Sequence, residues 1–154
     1  MVCAPVSTWA YRPFVSTDAA VADVKEVEIA SYAPTLLERT VARGQEVYEW
    51  AKQRDVPIAF GTDLWGPEDQ KSQLTEFETR AGLDSPAAII RSATATNAEL
   101  LMQEGKLGVI APGAYADLLV VDGDPLADLR LMIDPQRNLK GIMKDGVLYK
   151  NELG

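Results

Sequence analysis

The stretch "VPIAFGTDLWGPEDQ", residues 56–70, puts one carboxylate, Asp63, directly after an apolar run and a turn glycine. A carboxylate leaving the C-terminal end of a buried strand sits where α/β enzymes keep catalytic groups. There it can move a proton or ligate a metal ion. The partners are the difficulty, because the chain has 154 residues, no histidine and one cysteine. Ser92, Thr94 and Thr96 therefore have no imidazole to activate them, and a hydroxyl triad is excluded. A catalytic zinc ion takes three protein ligands and keeps one position open. Asp63 supplies one. Glu68 and Asp69 could add oxygens, but all-oxygen sets favour Mg²⁺ or Ca²⁺ and hold weakly without preorganisation. Asp63 also has a local reading, as an Asx cap that accepts from an amide of the loop.

Around this position three aromatics stand out. Trp65 lies in the loop after Asp63, and Trp9 and Tyr11 follow the first apolar segment. Together they are candidate substrate contacts. Each also has a plain structural reading, Trp65 as a loop shield and Trp9 and Tyr11 as core. Cys3 sits in an apolar stretch and reads as a small core residue.

The bulk numbers exclude several classes. With 23 acidic against 15 basic residues the formal charge is −8, which argues against phosphate-backbone binding and against anionic membrane surfaces. No apolar run reaches the roughly 18 residues of a membrane span. The N-terminus "MVCAPVSTWAYRPF" has neither the basic start nor the long apolar centre of a signal peptide. The lone cysteine cannot form an internal disulfide, so the expectation is a reducing cytoplasm.

The elements that must position Asp63 follow from periodicity and punctuation. Residues 2–9 read as a short strand edged by Pro5, and "TDAAVADVKEVEIASY" as a helix. From Pro34 to Arg54, Leu37, Val41, Tyr48 and Ala51 fall at helical spacing, with Glu38, Arg39, Arg43, Glu46 and Lys52 turned elsewhere. A strand over Val56–Phe60 follows, then a polar helix from about Pro67 to Ala81. Ser85 with Pro86 reads as an N-cap and first helical position, and Asn97 as the cap of a second short helix. After Gly105 the pattern turns to β. "KLGVIAPGAYADLLVV" holds two apolar segments around a Pro-Gly turn, and Asp145-Gly146 marks a tight hairpin. "GDPLAD" reads as a turn.

This order of elements, with "GTD", "SATATNAELL", "GKLGVIAPGAYADLLVVDGDPL" and "GIMKDGVLYKN", resembles the C-terminal end of amidohydrolase-superfamily enzymes, in their prolidase-like and imidazolonepropionase-like branch. The resemblance covers about Val2 to Glu152. It implies an α/β chain: the last two βα units of a (β/α)₈ TIM barrel over residues 1–104, then part of the small amidohydrolase β-sandwich over 105–154. A full barrel typically needs about 250 residues, with about 200 a lower limit. In the family, metal histidines come from the first, fifth and sixth strands and a bridging lysine or carboxylate equivalent from the fourth. The missing strands thus account for the missing histidines, and Asp63 alone carries over, as the carboxylate ending the eighth strand.

The implied chemistry is hydrolysis of a C–N bond in an amide, dipeptide-like or cyclic amide substrate. One or two divalent ions, usually zinc, lower the pKa of a bound water from near 16 to about 7. The strand-eight carboxylate ligates the metal and passes the proton to the leaving nitrogen. Alone, the chain is expected to be inactive and to hold no metal. Open strand edges and apolar faces predict self-association or a complementary chain carrying the missing strands. The competing expectations are a non-catalytic truncated module that self-associates or binds a partner, and a small-molecule binding protein built on Trp9, Tyr11 and Trp65.

Overall fold

The computed structural model describes residues 2–3, 39, 42–62, 64 and 66–154. Helix α1 covers 42–53 and buries one stripe, with Tyr48 and Ala51 inside and Gly44 and Val47 half-buried. Arg43, Glu46 and Lys52 point to solvent, as the spacing predicts. Leu37, Val41 and the expected first turn at Pro34 lie outside the described residues. The helix ends on paired bonds, Val56 N to Ala51 O at 2.9 Å and Asp55 N to Lys52 O at 3.1 Å. Asp55 takes the left-handed conformation, φ 52°, that this terminus demands and that a short polar side chain tolerates.

Strand β2, Ile58–Ala59, is shorter than the expected Val56–Phe60 and pairs in parallel with β1, Val2–Cys3. Adjacent barrel strands are parallel in this way. Beyond β2 the expected single helix is broken. Gly66–Asp69 forms α2, Gln70–Ser72 a 3₁₀ turn and Thr75–Ala81 α3. Gly66 enters at φ 83°, open to glycine. Helix α4, Pro86–Arg91, starts as expected, with Ser85 Oγ accepting from Ala88 N at 3.3 Å and proline in the first turn.

Asn97 does not cap a second helix. The chain runs from α4 through a π turn, Ser92–Thr96, directly into α5, Asn97–Leu100, with helical backbone at both junctions. The hydroxyls of Ser92 and Thr94 donate to the carbonyls of Ile89 and Ile90, each at 2.7 Å. Those carbonyls lie where the π turn disturbs the α-helical ladder, so the hydroxyls serve the backbone.

The antiparallel sheet has the order β3 (Leu118–Val121), β4 (Leu139–Lys144), β5 (Val147–Asn151). Its hairpin turns at Asp145-Gly146, both with positive φ (50° and 79°), the mirror-image turn that matches strand twist. The apolar segment at 107–110 forms no strand, and Val109 and Ile110 are exposed. Between β3 and β4 lie a 3₁₀ turn, Leu129–Met132, and α6, Pro135–Asn138.

Among the described residues a core cluster brings α3, α4 and the 3₁₀ turn Leu129–Met132 together. Phe77 of α3, Ile89 of α4 and Leu129 of the 3₁₀ turn are buried together, with Phe60, Leu74, Ile90, Ala93, Met132 and Ile133 against them. Each large apolar side chain so buried contributes about 2 kcal/mol by transfer from water. Among the described residues no helix is long and apolar enough to cross a membrane.

Candidate functional site: the end of strand β2

Asp63, Trp65, Trp9 and Tyr11 all lie outside the described residues. What is described is the frame around position 63, and it is held from several directions. The Ala59 carbonyl accepts from Arg80 Nη2 at 3.0 Å. Phe60 N donates to Asn97 Oδ1 and Asn97 Nδ2 donates to Phe60 O, both at 2.9 Å. Past the aspartate, the Leu64 carbonyl accepts from Gln70 Nε2 at 2.7 Å. Side-chain amides thus hold the main chain on both sides of Asp63.

Arg80 is anchored in turn. Its Nε donates to Glu76 Oε1 at 2.6 Å, with both side chains fully buried. Its guanidinium lies 5.0 Å from the Phe60 ring centre and 5.8 Å from that of Tyr48. Phe60 packs on Phe77 with ring centres 4.5 Å apart. The spacing of Glu76 and Arg80 is that of an ordinary solvent-facing helix pair, so the sequence gives no sign of their burial. For Asn97 there is a signal: a poor helix former stands in mid-helix where the apolar stripe should continue.

Helix α1 is tied to the loop before α4. Tyr48 Oη donates to Asp84 Oδ2 at 3.2 Å, and Lys52 Nζ donates to Leu83 O at 2.8 Å. Burial of the phenol, reinforced by the Asp84 charge, pushes the Tyr48 pKa up to about 12.

Among the described residues no side-chain set fits a metal. No group of three or more His, Cys, Asp or Glu side chains comes together among the described residues. Glu68 and Asp69 are exposed on α2, and Glu68 is paired with Lys71 at 2.6 Å. A concavity of about 540 Å³ lies elsewhere, beside α6. Two of the cations lining it, Arg130 and Lys140, are already paired, with Asp128 and with Asp122.

A parallel strand pair followed by helices, feeding a small antiparallel sheet, defines an α/β chain of the barrel-plus-sandwich type. The amidohydrolase family profile matches residues 8–149, and the chain belongs to that family. Within it, the chain carries the C-terminal portion of the (β/α)₈ barrel and part of the β-sandwich. Ochratoxinase of Aspergillus niger is 29% identical over 136 residues, 82% of this chain and 28% of that protein. The crystal structure of an amidohydrolase superposes with a TM-score of 0.71 at 38% identity, covering 82% of this chain and 33% of the other. A prolidase complexed with N-methylphosphonate-L-proline gives 0.69 at 36% identity, covering 75% and 28%. The chain therefore spans about a third or less of the length of these relatives.

Proposed function

We propose that this chain forms the closing part of a metal-dependent amidohydrolase that hydrolyses C–N bonds, with Asp63 as the carboxylate ending its eighth strand. Amide, dipeptide-like or cyclic amide substrates fit, since the relatives include a prolidase and an ochratoxinase. The observation that carries this reading is the family match across residues 8–149, with "GTD" at the end of β2. Asp63 takes the proton of the attacking water and hands it to the leaving nitrogen, a general acid–base role. Trp65, Trp9 and Tyr11 are the proposed substrate contacts of that reading. The divalent metal, zinc by family relation, belongs to strands this chain lacks, so the chain alone is inactive.

A second reading rests on a specific observation. Leu119 and Val120 of β3 and Val147, Leu148 and Tyr149 of β5, the strands on either side of β4, are exposed apolar side chains. Apolar side chains exposed on both outer strands favour a covering partner. On the first reading the partner is a chain with the complementary barrel strands; on the second, the chain is a non-catalytic module that self-associates. A reducing cytoplasm suits either.

The test starts with metal content and solution mass of the purified chain. Hydrolysis of an Xaa-Pro dipeptide is then measured with and without a complementary chain carrying the histidine-bearing strands. Near-zero metal, no activity alone and turnover on mixing are expected, with Asp63→Asn abolishing turnover and sparing assembly. Stoichiometric zinc with activity in the isolated chain, or normal turnover in an assembled Asp63→Asn complex, would overturn the reading.

A further inference from the structure

We propose that Asn97 is the positioning residue of the strand-eight carboxylate, acting as a one-residue substitute for a neighbouring strand; this rests on the reading of Asp63 given above. The described pairing of β2 with β1 stops at Cys3↔Ala59. At the next residue the Asn97 carboxamide takes over, accepting from Phe60 N and donating to Phe60 O at 2.9 Å each. A carboxamide has the donor and acceptor of a peptide group, so it closes both backbone groups of one extended residue as an adjacent strand would. Phe60 lies three residues before Asp63, and only Gly61 and Thr62 separate clamp from carboxylate.

The π turn explains how Asn97 reaches the sheet. Its hydrogen bonds span five residues instead of four, so the facing position after Ser92 becomes Asn97 rather than Thr96. Ser92 is buried and Asn97 half-buried on that side. The turn is itself buttressed. A Cβ on Gly108 would lie 2.5 Å from Thr94 O and 2.8 Å from Ala95 N, so the loop backbone lies directly on the π segment. The lead-in to the small sheet, the π turn, Asn97 and the end of β2 thus form one continuous support.

The test compares Asn97→Leu, which loses both bonds, with Asn97→Asp, which loses only the donor at neutral pH. Amide-exchange protection is followed at Phe60, with Ile89, bonded to Ser85 O at 3.0 Å, as reference. In Asn97→Leu, Phe60 protection should fall about tenfold, the worth of one hydrogen bond, with Ile89 unchanged. In Asn97→Asp the carboxylate still accepts from Phe60 N, so Phe60 protection should fall less than in Asn97→Leu. In the complex assembled with the complementary chain, Asn97→Asp should lower kcat on alanyl-proline about tenfold at neutral pH and leave KM unchanged. Equal loss at Phe60 and Ile89, as large a loss at Phe60 in Asn97→Asp as in Asn97→Leu, or a rise in KM with kcat intact would overturn the positioning role. Absence of turnover from the unmodified complex would overturn the hydrolase reading alone, since Phe60 exchange reports the clamp without substrate.

Discussion

Glu76 and Arg80 form an ion pair at 2.6 Å, one helical turn apart on α3, with neither side chain touching solvent. Burying two charges costs several kcal/mol per ion, which their attraction repays only if both remain. Removing one should therefore hurt more than removing both. Arg80→Met is expected to cost about 3–5 kcal/mol, because it leaves the Glu76 carboxylate buried. The double variant Glu76→Leu, Arg80→Met should recover much of that and keep a deficit of about 1–3 kcal/mol for the Ala59 carbonyl that Arg80 no longer satisfies. Urea midpoints of the two single variants and the double variant check this. A double variant as unstable as the sum of the singles would contradict it.

Gly108 tests the support under the π turn. Its φ is +71°, and an added methyl would meet the Thr94 and Ala95 backbone, which cannot give way as a side-chain tip can. Gly108→Ala is expected to lose about 1–3 kcal/mol, the range for a strained conformation, or more with the clash. Gly105 is the control, because it shares a positive φ of 69° but has open space around it, so Gly105→Ala should cost less. Thermal melts of both variants read the difference.

How much of this was legible depended on whether a residue's role is local. Ser85-Pro86 and Asp145-Gly146 were readable because capping and turn chemistry act within four residues. The stripe of Tyr48 and Ala51 was readable because periodicity reports a face. The run at 107–110 reads as β yet forms a loop, since a short apolar stretch carries no period that separates strand from loop, and Gly108 is spent on contact with the π turn. Asn97 reads as a cap because asparagine is a common one, whereas its partner, Phe60, stands 37 residues away. The family resemblance points to Asp63; the contacts that Asn97, Arg80 and Gln70 make with the main chain at Phe60, Ala59 and Leu64 come only from the three-dimensional structure.

The hairpin carries a pH-dependent brace. Asp117 accepts from Lys144 Nζ at 2.6 Å and from Asp145 N at 2.7 Å, and these two bonds hold its carboxyl below the ordinary range. A lowered carboxyl pKa stabilises the fold above the unfolded value, near 3.9, and that contribution disappears as pH falls through the folded value. Amide shifts of Lys144 and Asp145 should therefore move on acidification below about pH 4. In Asp117→Asn that transition should vanish. Persistence of the same acid transition in the variant would assign it to another group.

At the other end of the pH scale, Tyr48 should report the docking of α1. Its phenol is raised to about 12 by burial and by Asp84, so the fold prefers the neutral form. Stability from this preference is complete below the unfolded value of about 10 and is lost as pH climbs from there towards 12. Tyr48→Phe keeps the ring, which packs beside Arg80, and removes the ionisable group. At neutral pH it should cost about 1 kcal/mol, one hydrogen bond to Asp84. Between pH 9.5 and 11.5 the wild-type urea midpoint should fall more steeply than that of Tyr48→Phe. Parallel slopes would mean that a group other than Tyr48 governs alkaline loss of this helix.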